Sequence, residues 1–94
     1  MLDKFKFLLE KEEWTHDDER YVLNLKSCEM AFLAREIRKY DGILIDLSFH
    51  KNPLVRLGVA QNKYAPKHVL ERLKTDTDGD VRSAASKTME EIAK

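Results

Sequence analysis

Little in this sequence breaks or cross-links the chain. Glycine occurs three times and proline twice in 94 residues. So few breakers argue against a many-stranded sheet and for helices joined by short turns. A single cysteine, Cys28, excludes an internal disulfide and with it the disulfide-stapled class. No apolar run approaches the roughly 20 residues that span a bilayer, so no membrane association is expected. Residues 1–14, MLDKFKFLLEKEEW, carry too many charges for a signal-peptide core. A reducing, cytoplasmic setting is the expectation.

Chemistry-bearing motifs are missing as well. There is no Walker loop, no glycine pattern for a dinucleotide and no nucleophile elbow. Cys28, His16, His50 and His68 are the only residues that resemble a metal set, and no pair has the spacing that places two ligands on one site. Cys28 falls on an apolar helical stripe and is expected to be a buried structural thiol rather than a nucleophile. The cluster HDDE at residues 16–19 is already accounted for as the acidic first turn of a helix. The reading is a chain with no catalysis, no metal and no cofactor.

What is there is a small core under a highly charged surface. Apolar residues make up 43% and charged residues 36%. A chain of this length buries roughly 60–65% of its unfolded surface, enough for one core and one domain over residues 1–94. A net charge of zero conceals an asymmetry. Residues 1–31 carry five Lys/Arg against eight Asp/Glu, residues 32–46 three of each, residues 47–74 six against one, and residues 75–94 three against five. A basic middle between acidic ends can steer an anionic partner, or let two copies meet head to tail.

Helical spacing recurs along the chain. Leu2, Phe5, Leu8 and Leu9 form the first apolar stripe. Thr15 is placed to cap the next helix, followed by Tyr21, Val22, Leu25 and Cys28. Met30, Leu33, Ile37 and Tyr40 form another stripe. Asp41-Gly42 reads as a turn before Ile43, Leu44 and Leu47. Asn52-Pro53 is a second break, since proline suits the first turn of a helix and not its interior. Val55 and Val59 follow, then Ala65-Pro66 ahead of Val69, Leu70 and Leu73. Asp78 or Asp80 caps the last helix, with Val81, Ala85, Met89 and Ile92 on one face. Six or seven short helices result.

The segment DTDGDVRSAAS, residues 76–86, looks at first like a calcium loop. With Gly79 at position 6 of an EF-hand loop, position 1 is Lys74 and position 12 is Ala85, and neither binds calcium. The segment is instead one copy of a repeat. When the chain is aligned with itself so that Leu44 falls on Leu70, Leu47 falls on Leu73, Val55 on Val81 and Arg56 on Arg82. Asn52-Pro53 falls on Asp78-Gly79, so turn matches turn. Gly58, Ala60, Ala84 and Ser86 supply the small residues that let stacked helices approach closely. A helical period of this length predicts an all-α fold, a short right-handed α-solenoid.

The stretch NPLVRLGVAQNKYAPKHVLERLKTD resembles the leucine-rich repeat variant, a HEAT-like helical repeat of bacterial proteins. The positions that carry the likeness are Val55, Arg56, Val59, Ala60, Asn62, Pro66, Leu70, Leu73 and Asp76. A second partial copy begins at Asp78 with Val81 and Arg82. Ala65 stands where that family usually has a Ser or Thr cap. The resemblance implies about three HEAT-like units, at residues 29–52, 53–78 and 79–94, with residues 1–28 as an N-terminal helix pair covering one end. It also implies a binding scaffold. The iron–sulfur cluster of one family prototype is not implied, because a single cysteine cannot hold it.

The candidate binding residues are Lys51, Arg56, Lys63, Tyr64, Lys67, Arg72 and Lys74, all in the basic middle. Arg56 and Arg82, at one repeat position, are also expected to bond to neighbouring turns, with Asn52, Asp78 and Asp80 at hand. The leading reading is a non-catalytic protein-binding adaptor or inhibitor, with a homodimer permitted by the open ends. The alternative partner is nucleic acid, held by Lys63, Lys67, Arg72 and Lys74. A pI near 6.8 stands well below the values above about 9 of dedicated nucleic-acid binders.

Overall fold

The computed structural model describes residues 5–38 and 41–93, and seven helices account for the regular structure among them. They are α1 (Lys6–Glu10), α2 (His16–Leu23), α3 (Ser27–Glu36), α4 (Asp41–Leu47), α5 (Pro53–Ala60), α6 (Lys67–Leu73) and α7 (Gly79–Ala93). No strand occurs among the described residues, and none of these helices is long and apolar enough to cross a membrane. Leu2 and Tyr40, expected on apolar stripes, lie outside the described residues.

Local chemistry sets most of the boundaries. Thr15 forms a capping box. Its hydroxyl accepts from the Asp18 N–H at 3.2 Å, and the Asp18 carboxylate accepts from the Thr15 N–H at 2.9 Å. Asn52 caps α5 by accepting from the Leu54 N–H at 2.9 Å, with Pro53 in the first turn. Asp78, not Asp80, is the acceptor at the start of α7, at 2.9 Å from Asp80 N and 3.1 Å from Val81 N. Asp41 and Gly42 do not form the expected turn. They are the first residues of α4, where an aspartate favours the positive end of the helix.

Helices α3, α5 and α7 start at Ser27, Pro53 and Gly79, and α4 and α6 at Asp41 and Lys67, so equivalent helices recur at one constant interval. Helix α5 packs against α3 on one side and α7 on the other, while α6 packs on α7 and α5. The core follows that arrangement. Leu33, Val59 and Ala85, one from each of α3, α5 and α7, are fully buried. So are Ile43, Leu44 and Leu47 of α4 and their counterparts Val69, Leu70 and Leu73 of α6, each at most 1% exposed. Phe5, at the start of α1, lies 6.2 Å from the Phe32 ring of α3 and ties the N-terminal segment to this core. The radius of gyration, 12.5 Å, is that of a compact chain of this length, about 12 Å.

Gly58 marks a close approach of α5 to α3. A side chain there would enter the Ala31 carbonyl oxygen of α3 and stand 3.0 Å from Ala34 Cβ. Two buried polar side chains bind the layers further. Asn62 Nδ2 donates to the carbonyls of Ala34 and Ile37 at 2.8 and 2.6 Å, satisfying the buried C-terminal end of α3. Thr88 Oγ1 donates to the Ala60 carbonyl at 2.6 Å, doing the same for α5.

Candidate functional site

The seven basic-middle candidates do not form one surface. Arg56 is built into the fold. Its Nε and Nη2 donate to the two Asp76 carboxylate oxygens at 2.9 and 3.1 Å, and Nη1 donates to the carbonyls of His50 and Lys51 at 2.7 and 3.1 Å. The side chain is only 14% exposed. Arg82 donates to the Asp76 backbone carbonyl at 2.7 Å. The partner shared by the two repeat-position arginines is therefore Asp76, in place of the expected Asn52, Asp78 and Asp80. Burial would raise the Asp76 carboxyl. The Arg56 hydrogen bonds, the Asp78 N–H and the charges of Arg56 and Arg82 outweigh it and hold the group below the usual aspartate range.

Arg72 is engaged too. Its Nη2 donates to Ser48 Oγ at 2.6 Å, and Ser48 in turn donates to the Ile45 carbonyl. The guanidinium lies 3.9 Å from the Phe49 ring centroid. This clamps α6 onto the end of α4. Lys51 and Lys74 are exposed.

Lys63, Tyr64 and Lys67 remain, and they frame two adjacent features. Tyr64 is 45% exposed, and the Arg38 guanidinium and Lys63 ammonium each stand 5.5 Å from its ring centroid. Arg35 lines the same concavity. Arg35, in the last turn of α3, and Arg38, just past it, were not among the sequence candidates, because both precede the basic middle. Next to this lies a groove of about 410 Å³ between α6, the turn before it and the end of α7. Ala65, Leu70, Met89 and Ile92 make it apolar, and Lys63 and Lys67 stand on its rim with Glu71. Ile92, expected on the packed face of α7, is 51% exposed here.

Cys28 is a correction. It is exposed in the first turn of α3, not buried on the stripe of α2, because α2 stops at Leu23 and the phase of the stripe is lost. At the other edge of the fold, Phe7 of α1 and Tyr21 of α2 are 55% and 40% exposed, with ring centroids 6.3 Å apart. The Thr15–Asp18 cap of α2 is fastened by Lys11, whose Nζ lies 2.6 Å from Asp18 Oδ2. The Lys11 hydrogen bond, with the Thr15 N–H, draws the Asp18 carboxyl below its ordinary value.

Comparison with protein-family models, with curated proteins and with solved structures finds no match to this chain.

Proposed function

We propose that this chain is a non-catalytic protein-binding module, an adaptor or inhibitor, working in the cytoplasm. Its framework is read as a short right-handed α-solenoid of HEAT-like, leucine-rich-repeat-variant-like units. The even spacing of helix starts and the order α3–α5–α7 support that reading. The observation that carries the function is the groove between α6 and α7. An apolar concavity of about 410 Å³ with Lys63, Lys67 and Glu71 at its rim suits an apolar side chain presented with an acidic neighbour. Arg56 and Arg72 lend no support to the wider basic surface, since their donors serve the fold.

The test is a pull-down from native lysate, comparing wild type with Lys67→Glu/Ile92→Glu. A protein retained by wild type and lost from the variant supports the groove. An identical set of retained proteins sinks it.

A second reading, nucleic-acid binding, is favoured by one observation. Two cations, Arg38 and Lys63, stand over the exposed Tyr64 ring, and Arg35 lines the same concavity with Glu36 and Glu91, an arrangement in which a base can stack beside a phosphate. Fluorescence anisotropy with a labelled duplex and a labelled single strand, at about 50 and about 200 mM salt, decides it. Binding that falls steeply with salt and is lost in Tyr64→Ala supports this reading. No binding at the lower salt removes it.

A further inference from the structure

Each end of the helix order carries an exposed apolar feature. At the first, Phe7 and Tyr21 form an exposed aromatic pair across α1 and α2. Residues 5–23 around it hold Lys6, Lys11 and Arg20 against Glu10, Glu12, Glu13, Asp17, Asp18 and Glu19. Lys11 is closed onto Asp18, while Lys6 and Arg20 only approach Glu10 and Asp17 at 3.8 Å in open solvent. The surround of the aromatic pair is acidic. At the last end, the groove of α6 and α7 is lined by Ala65, Leu70, Met89, Ile92 and Ala93 with Lys63, Lys67 and Glu71, while Glu90 and Glu91 follow Met89 on α7.

The aromatic pair offers apolar side chains flanked by acids, and the groove offers an apolar lining with Lys63 and Lys67 beside it, so the two are complementary. They cannot meet within one chain. α1 lies on α3 through Phe5 and Phe32, α3 on α5, and α5 on α7 with its groove-forming neighbour α6. They can meet between copies. We infer that the chain associates with itself head to tail, the Phe7–Tyr21 edge of one copy seating in the Leu70–Met89–Ile92 groove of the next. This rests on the docking-groove reading and names its occupant. The contact is heterologous, so an open assembly keeps one free edge and one free groove and grows by addition of further copies unless its rotation closes it into a ring. Opposed charge at the rim makes the association weaker as salt rises.

Sedimentation equilibrium of the purified chain tests this. Between about 10 µM and about 1 mM, the wild-type mass is expected to rise beyond that of a dimer, and to fall back when salt is raised from about 50 to about 500 mM. Phe7→Ser/Glu10→Lys removes the edge, and Lys67→Glu/Ile92→Glu removes the groove. All four positions are exposed, and circular dichroism melting checks that both variants fold. Each variant alone is expected to be monomeric. Their mixture is expected to form a one-to-one dimer and nothing larger, because only one competent edge and one competent groove remain. A wild-type chain that is monomeric at the higher concentration overturns the inference, as does a mixture that fails to pair. The lysate experiment with the same groove variant is independent of self-association. Retained partners with a monomeric chain sink this occupant alone.

Discussion

Replacing Gly58 by alanine sets two effects of known size against each other. Gly58 lies inside α5, and alanine there gains about 1 kcal/mol in helix propensity. The new methyl, however, would enter the Ala31 carbonyl oxygen and sit 3.1 Å from the Ala31 carbonyl carbon and 3.0 Å from Ala34 Cβ. These are mainly backbone atoms of α3, so no side chain can swing aside and the helices must separate. Overpacking of a core costs about 1–3 kcal/mol, and an obstacle made of backbone belongs at the upper end. The net expectation is a loss of about 2 kcal/mol, or roughly 8–16 °C in Tm for a domain of this size. Gly42→Ala is the internal control. That glycine is also helical, but nothing lies within 4 Å of a Cβ built on it. It is expected to leave stability unchanged or raise it by up to about 1 kcal/mol. Urea denaturation followed by circular dichroism measures both. A Gly58→Ala protein as stable as wild type would refute the close α3–α5 approach.

Three further outcomes are expected. Asp76→Asn removes the charge that Arg56 grips and should cost about 1.5–3 kcal/mol at neutral pH. Because the folded Asp76 pKa is lowered, its contribution is complete above the unfolded value of about 4 and disappears as pH falls through the folded value. Wild type should therefore lose more stability than Asp76→Asn below about pH 4, and parallel pH profiles would contradict the pair. Asn62→Asp turns an acceptor toward the carbonyls of Ala34 and Ile37 and should cost about 3–5 kcal/mol, more than Asn62→Ala at about 2–3 kcal/mol. The reverse order in urea titrations would count against the donor assignment. Cys28 should react with a thiol reagent in the folded protein nearly as fast as in the unfolded chain, and protection by an order of magnitude or more would place it in the core.

The local features were legible because their causes lie close together in the chain. Thr15 and Asp18, or Asn52 and Pro53, carry their structural meaning in the amide, carboxylate and ring chemistry of one turn. The apolar stripes of α4 and α6 were equally plain, since helical periodicity needs no knowledge of the partner helix. Asp41-Gly42 misled because aspartate and glycine suit both a turn and a helix start. Cys28 misled because one stripe was carried through the end of α2. Of the candidate surface, Lys63, Tyr64 and Lys67 are exposed, with Lys63 shared between the Tyr64 concavity and the Lys67 groove. Arg56 and Arg72 are not, and this was not legible, because a charged side chain reads the same in sequence whether it meets solvent or a polar group from a distant turn.

Composition, spacing and capping by themselves determined an all-helical chain, where most of its helices begin, and the regular rhythm of small and apolar positions. Each depends on interactions between residues near in sequence. The tertiary structure alone decided that Asp76 serves Arg56 and Arg82, that Asn62 closes the end of α3, that Arg38 joins Lys63 over Tyr64, and that α6 and α7 leave an apolar groove at one edge. These depend on which backbone carbonyls, charges and faces are brought together across the core, and packing sets those distances, not periodicity.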